Sequence, residues 1–290
     1  MSSRTPQQYW STGKHTFDLT AHTLIMGILN VTPDSFYDGG RFTAVDRAVE
    51  QGLRLVDDGA DILDIGGEST RPGADSVPQD EELERVLPVI EKLAGRIPIP
   101  ISIDTTKSSV AAAALDAGAE IVNDISACRF DPAMAAMVAQ KQAGLVLMHI
   151  KGEPRTMQLD PQYDDVVRDI CDSLRKSLNA VVAAGLTPQQ IVIDPGIGFG
   201  KQLEHNLQIL RRLREFEILG RPILVGPSRK SFIGRILNLP PEERLEGTIA
   251  ALLIAFFNGA AIVRVHDVRA AKRAALIADA VLGTIDVSGN

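Results

Sequence analysis

The residues able to do chemistry in this chain fall at the ends of short apolar runs. In Ile191-Val-Ile-Asp-Pro-Gly-Ile-Gly-Phe-Gly-Lys201 a carboxylate, Asp194, stands at the tip of an apolar stretch, directly before three glycines, Gly196, Gly198 and Gly200. The β-branched residues read as a buried strand, Pro195 ends it, and the glycines let the backbone turn tightly and a flat ligand come close. The layout recurs. Apolar runs lead to Asn30, to Gly66 and Gly67 with Glu68, to Asp104, to Asn123, to Met148 with His149, to Gly226 with Ser228 and Lys230, and to Arg264 with His266. Taken singly, Asp, Asn and Ser at such places serve equally well as helix caps. Gathered around one mouth, amides and carboxylates supply donors and acceptors in one plane, which suits a polar ring. Lys230, Arg264 and His266, with Arg71 from a loop, would make part of that mouth positive, which suits a phosphate or pyrophosphate.

Elements must deliver these residues to one place, and the pattern provides them. Strands are expected over 24–29, 62–65, 99–103, 121–122, 145–148, 191–193, 223–225 and 262–263. Helices are expected over 42–58, 80–93, 108–117, 132–141, 164–184, 204–216, 231–237 with 241–258, and 268–282. A weak repeat marks three of the turns: Asp58-Gly-Ala-Asp-Ile, Ala117-Gly-Ala-Glu-Ile and Asn258-Gly-Ala-Ala-Ile. Repeated βα units with purely apolar strands imply a parallel sheet covered by helices. Eight such units in about 250 residues fit an α/β fold of the (β/α)8 TIM barrel type, whose active sites lie at the C-terminal strand ends. An open doubly wound sheet is the alternative, but the units run evenly with no break for a second domain. The expectation is therefore one domain over residues 1–290, with residues 1–22 forming a short strand or hairpin extension around 9–19.

Composition narrows the function class. The 290 residues are 45% hydrophobic and only 4% aromatic, and the formal net charge is −7, which argues against general nucleic-acid binding. Cys128 and Cys171 form no disulfide framework, which fits a reducing, cytoplasmic setting. No signal peptide or membrane-length apolar run stands out, since stretches such as 249–257 are too short to span a bilayer. Small-molecule substrates are the partners to expect, with no nucleic acid and no membrane.

Three longer motifs resemble the signatures of dihydropteroate synthases: Gly27-Ile-Leu-Asn-Val-Thr-Pro-Asp-Ser-Phe-Tyr-Asp-Gly-Gly40, Asp64-Ile-Gly-Gly-Glu-Ser-Thr-Arg-Pro-Gly-Ala74 and Gly226-Pro-Ser-Arg-Lys-Ser-Phe-Ile-Gly234. The resemblance continues through Ser102-Ile-Asp-Thr-Thr-Lys107, Val122-Asn-Asp-Ile-Ser126, the 194–201 loop and Arg264-Val-His-Asp-Val268, and runs from about residue 24 to 282. It implies joining of 6-hydroxymethyl-7,8-dihydropterin diphosphate to 4-aminobenzoate, giving 7,8-dihydropteroate and pyrophosphate. It implies that Asp104, Asn123, Asp194 and Lys230 hold the pterin ring, with Met148, Phe199 and Gly226 lining the slot, and Lys230, from the next strand, is the expected partner of Asp194. It implies Mg²⁺ at Asn30 and the diphosphate on Asn30, Thr70, Arg71, Arg264 and His266. Arg71, Pro72, Ser228 and Lys230 are implied for 4-aminobenzoate, and Lys230, Asp38, Arg264 and His266 for catalysis. The loops over 31–40 and 69–74 would close over the site. A homodimer and sulfonamide inhibition are implied too. Tyr37 and Pro227 depart from the family's usual small residues.

Other residues read more plainly. His149 is expected to pack or cap, and Glu68 to bond loop amides. His15, His22 and His205 are expected at the surface. Lys107 and Lys201 fit a helix start as readily as a ligand role, and Arg229 either solvent or the aminobenzoate carboxylate. Two rival readings are a pterin-binding methyltransferase barrel acting on methyltetrahydrofolate, and a non-enzymatic pterin-binding protein.

Overall fold

The computed structural model describes residues 9–32, 41–71 and 73–285. A hairpin of β1 (Tyr9–Ser11) and β2 (Thr16–Asp18) opens the chain, its strands antiparallel. Strands and helices then alternate: β3 (Leu24–Asn30), α1 (Arg41–Asp57), β4 (Ile62–Gly66), α2 (Gln79–Leu93), β5 (Ile101–Asp104), α3 (Ser108–Asp116), β6 (Ile121–Asp124), α4 (Met134–Lys141) and β7 (Gly144–Met148). After them come α5 (Val166–Ala183), β8 (Ile191–Asp194), α6 (Leu203–Arg211), β9 (Ile223–Val225), α7 (Ser231–Leu237), α8 (Leu245–Phe257), β10 (Ala260–Val265) and α9 (Val268–Leu282). Strands β3 to β10 are parallel and close into a barrel, β10 pairing with both β9 and β3. This is the expected (β/α)8 architecture.

Strand parity layers the interior. Side chains alternate with period two, so residues two apart point the same way. Met26, Ile62, Ile121, Val146, Val192, Leu224 and Ile262 share one buried cluster in the lower barrel. One step up the same faces stand Asp64, Asn123, Met148, Asp194, Gly226 and Arg264, with Asp104 in register between Gly66 and Asn123. The opposite parity, including Leu63, Ile103, Val122, Leu145, Ile193 and Val263, packs into the larger core under the helices. Burial on both faces is why these strands read as unbroken apolar runs. The dry lower layer forces polar side chains to the upper end, where hydrogen bonds and ligands can satisfy them.

The hairpin closes the base. Trp10 is 0% exposed, lies among the lower-barrel residues, stacks on Phe17 at 5.7 Å and donates from Nε1 to Gln190 O at 3.0 Å. Thr12 Oγ1 donates to Glu120 Oε2 at 3.2 Å, and His15 Nδ1 lies 2.8 Å from the same oxygen. The three repeat glycines, Gly59, Gly118 and Gly259, take φ of +98°, +117° and +97°, the left-handed stop between helix and strand that a β-carbon makes costly.

Some boundaries differ from expectation. The helix over 204–216 stops at Arg211 and tightens into a 3-10 turn, Leu213–Leu219. The 241–258 segment splits into a 3-10 turn, Pro241–Glu243, and α8. Strand β10 runs on to Val265, so Arg264 sits within the strand. Its charge broke the apolar run in the sequence, but its backbone still pairs with Met26. Among the described residues no helix is long and apolar enough to cross a membrane.

Candidate active site

Arg264 occupies the centre of the upper layer. Its Nε donates to Asp64 Oδ2 and its Nη2 to Asp104 Oδ2, each at 2.6 Å. Asn123 Nδ2 donates to the same Asp64 oxygen at 3.1 Å. Burial opposes the guanidinium's charge, but the two aspartates outweigh it and raise its pKa. Burial pushes the Asp104 carboxyl up, against the pull of Arg264. Two carboxylates from two strands thus hold one cation, an amide from a third strand bonds one of them, and Asp64 Oδ1 remains buried with no hydrogen-bond partner among the described residues.

Asp194 lies on the other side of the mouth. Its Oδ1 accepts from Gly196 N at 2.7 Å. Burial lifts its carboxyl to about 6, against the Gly196 N–H, Lys201 and Lys230. Gly196 has φ +71°, and a β-carbon there would lie 2.0 Å from His149 O, so the 196–200 loop rests backbone to backbone on the segment after β7. The loop carries Phe199 into a small apolar cluster with Ile125, Met148, Ile150 and Met157. Lys230 Nζ sits over the Phe199 ring, 3.9 Å from its centroid, a cation–π contact. Burial, with Arg264 next, lowers the Lys230 amine to about 8. Carboxylates, an amide and a lysine beside a Met–Phe wall make a slot for a flat ring rich in N–H donors and acceptors.

The rim is quieter. Ser228 Oγ lies 3.0 Å from His266 Nδ1 and accepts from His266 N at 3.2 Å. Burial and then Arg264 lower His266 to about 4, so it is neutral at pH 7. This corrects the expectation of a positive His266; it offers the mouth a polar ring edge instead. Arg229 is part-exposed and paired: its Nε and Nη2 donate to Asp267 at 2.9 and 2.6 Å. Asn30 is half-buried at the end of β3, in register with Gly66 of β4, Thr70 is half-buried and Arg71 is exposed. Asp38 and Pro72 lie outside the described residues, as do Tyr37 and most of the 31–40 loop.

A family model described as "Pterin binding enzyme" matches residues 26–266. The dihydropteroate synthase of Synechocystis sp. is 50% identical over 269 residues, 92% of this chain and 93% of its own. The chain belongs to the dihydropteroate synthases. The Yersinia pestis dihydropteroate synthase, solved as a sulfonamide drug complex, superposes with a TM-score of 0.89 at 43% identity, covering 95% of this chain and 99% of that one. The Xanthomonas albilineans dihydropteroate synthase with 4-aminobenzoic acid gives 0.89 at 44% identity, covering 95% and 98%.

For a dihydropteroate synthase the sequence-level set gathers well. Asp104, Asn123, Met148, Asp194 and Gly226 share the inner parity, and Phe199 and Lys230 meet beside them. One expected pairing is absent: among the described residues Lys230 forms no ion pair with Asp194, because its amine is drawn over Phe199. Lys107 is a structural residue, its Nζ bridging Glu68 Oε2 at 2.5 Å and Glu82 Oε2 at 2.6 Å, while Glu68 Oε1 accepts from Val77 N as expected of a loop-bonding carboxylate. His149 is buried and packed, also as expected. One residue has no role in the sequence analysis: Asp64 hides inside a strand, where a carboxylate on the parity of the lower core is its only signal. Lys201, open there between a helix start and a ligand role, is buried against His149 and the Phe199 carbonyl.

Proposed function

We propose that this chain works as a dihydropteroate synthase. It joins the methylene carbon of 6-hydroxymethyl-7,8-dihydropterin diphosphate to the amine of 4-aminobenzoate, releasing pyrophosphate. The observation that carries the reading is the inner polar layer itself: Asp104, Asn123 and Asp194 facing a Met148–Phe199 wall, with Lys230 over that wall. Asp194, Asp104 and Asn123 bind the pterin's amine, ring N–H and carbonyl groups, and Gly226 leaves room where a side chain would intrude. Lys230 lines the ring and reaches toward 4-aminobenzoate. Ser228, Arg71 and Pro72 complete the aminobenzoate site. Arg264, with Asn30, Thr70, Arg71 and His266, binds the diphosphate, Arg264 using Nη1, the nitrogen its two aspartates leave free.

The dihydropterin ring delocalises positive charge as the methylene–oxygen bond breaks, so the path is dissociative. Arg264 stabilises charge growing on the leaving diphosphate, and neutral His266 assists by hydrogen bonding. Asp38 and the buried carboxylates tolerate the ring cation. The aniline amine is neutral at pH 7 and attacks without a strong base; its proton leaves to solvent after bond formation. Closure of the 31–40 and 69–74 loops excludes water that would otherwise capture the cation. Among the described residues no three His, Cys, Asp or Glu gather as a metal cage. A lone Asn30 amide oxygen fits Mg²⁺ carried in with the diphosphate, since Mg²⁺ binds through few protein oxygens plus phosphate and supplies charge neutralisation there.

The chain is read as one domain and as cytoplasmic, its two thiols unpaired. It is also read as a homodimer, through the apolar residues left exposed on neighbouring helices: Ile254 and Phe257 of α8 and Ile277 and Val281 of α9. The deciding assay mixes both substrates with Mg²⁺ and measures pyrophosphate and dihydropteroate. Activity lost in Lys230→Ala and inhibited competitively by a sulfonamide against 4-aminobenzoate is expected. Methyl transfer from methyltetrahydrofolate without pyrophosphate, or pterin binding without turnover, would overturn the reading. A monomer by light scattering at micromolar concentration would remove the dimer.

A further inference from the structure

Lys201 is 3% exposed, and its amine meets no carboxylate within ion-pairing distance among the described residues. Its Nζ lies 2.8 Å from Phe199 O, 3.3 Å from His149 O and 3.1 Å from His149 Nδ1. An ammonium has three N–H donors and no acceptor, and three acceptors surround this one. His149 is itself tied to β8, its N donating to Asp194 O at 2.9 Å. The two walls of the ring slot come from different strand ends: Met148 from β7 and Phe199 from the loop after β8. Lys201 bonds the residue that follows Met148 and the carbonyl of Phe199 itself. The mechanism above makes no use of it.

We infer that Lys201 is a positioning residue for the pterin ring: by bonding His149 and Phe199 it fixes the Met148–Phe199 gap that holds the ring beside Asp194. This rests on the dihydropteroate synthase reading. Two independent features support it. The loop it anchors has no slack, because Gly196 and Gly200 press on the backbone oxygens of His149 and Lys151, where a β-carbon would lie 2.0 and 2.4 Å away. Its charge is also coupled to the site. Burial lowers the Lys201 amine well below its usual value, Asp194 is the acid that opposes this, and Lys230, Arg129 and Lys151 add to the lowering. Asp194 in turn feels Lys201, Lys230 and Arg264, while His149 and the more exposed His205 are held down by burial and by Lys201. A ring that donates to Asp194 needs the carboxylate, which positive charge at Lys201 favours.

The test compares the parent with Lys201→Met, which keeps the stem and deletes the amine. Equilibrium binding of 6-hydroxymethylpterin is measured from pH 5 to 9, with KM for each substrate and thermal unfolding. In the parent, pterin binding weakens as pH falls through the Asp194 titration. In Lys201→Met the midpoint is expected to rise by about one pH unit, weakening binding about threefold midway between the two midpoints and towards tenfold below both, with KM for 4-aminobenzoate within about twofold. His149→Phe removes one acceptor but keeps a ring, and is expected to move the midpoint the same way by less. It carries the test if Lys201→Met does not fold. An unmoved midpoint with unchanged pterin affinity in a folded variant overturns the inference. So does equal loss for both substrates, the mark of general disruption. Failure of the parent to bind pterin would instead sink the function reading.

Discussion

Asp64→Ala is the most informative single change, because the hydrogen bonds of Asp64 go to two site residues, Arg264 and Asn123. The substitution deletes the 2.6 Å bond from Arg264 Nε and the 3.1 Å bond from Asn123 Nδ2, and leaves both donors short of an acceptor. Orphaning a buried donor costs about 1–3 kcal/mol, and breaking a buried ion pair from one side about 3–5 kcal/mol. Arg264 keeps Asp104, so the lower half of that range applies, about 3–4 kcal/mol. At about 2.1 cal/mol/K per residue, a chain of 290 residues has an unfolding entropy near 0.6 kcal/mol/K, and Tm falls by about 5–7 °C. Arg264 would then swing on one tether, and misplacement by about 1 Å costs turnover up to about 100-fold. Calorimetry and initial rates on the same preparation read both effects, with KM for 4-aminobenzoate expected within about twofold. Asp64→Asn keeps an oxygen in place of Oδ2 and should recover more than half of the lost stability. An Asp64→Ala protein that melts within about 1 °C of the parent and turns over normally refutes the argument, since Arg264 would then not depend on Asp64.

Three further outcomes follow. The Asp194 carboxyl sits near 6 in the folded chain, above about 3.9 for an unfolded aspartate, so its contribution favours folding below about pH 4 and is lost as pH rises through 6. Asp194→Asn should therefore gain up to about 3 kcal/mol over the parent at pH 7, with the gap closing near pH 4, while turnover nearly vanishes; urea titrations showing no gain at pH 7 would count against a costly buried charge. Trp10→Ala empties a fully buried site at the barrel base and should cost about 3–5 kcal/mol, yet leave both KM values unchanged; a shifted pterin KM would mean the base communicates with the mouth. Gly196→Ala sets a β-carbon 2.0 Å from His149 O at a left-handed φ, and should cost at least about 2 kcal/mol and weaken pterin binding more than aminobenzoate binding; isothermal titration matching the parent would show a looser loop.

The barrel was legible because both faces of its strands are buried, which leaves unbroken apolar runs, and because glycine stops such as Gly59 and Gly118 recur at fixed places. Most of the ring-binding set was legible because a polar residue ending an apolar run must sit where burial ends. The same logic hid Asp64, which lies one step inside β4 and is tolerated there only because Arg264 crosses the barrel to meet it. Contacts made across the barrel have no sequence signal. Lys230 and Asp194 looked like partners as neighbouring strand-end charges, but the aromatic face of Phe199 took the amine. His266 was counted with the cations by residue type, but burial beside Arg264 lowers it further, to about 4, and keeps it neutral. Arg229 found Asp267 for the same reason of proximity in space.

The hairpin at the base also imposes an order in time. Trp10 leaves the ribosome early, but Gln190, whose carbonyl takes its indole N–H, follows 180 residues later. At about 5–20 residues per second the first segment waits about 9–36 s before its seat exists. Glu120, which receives Thr12, arrives part-way through that interval. A nascent chain stopped short of β8 therefore cannot seal its lower end, and an apolar indole stays available to chaperones until the sixth of the eight barrel strands is nearly in hand. The plug is made before the barrel and docks once about six of its eight strands exist, so it reports that most of the barrel has been completed.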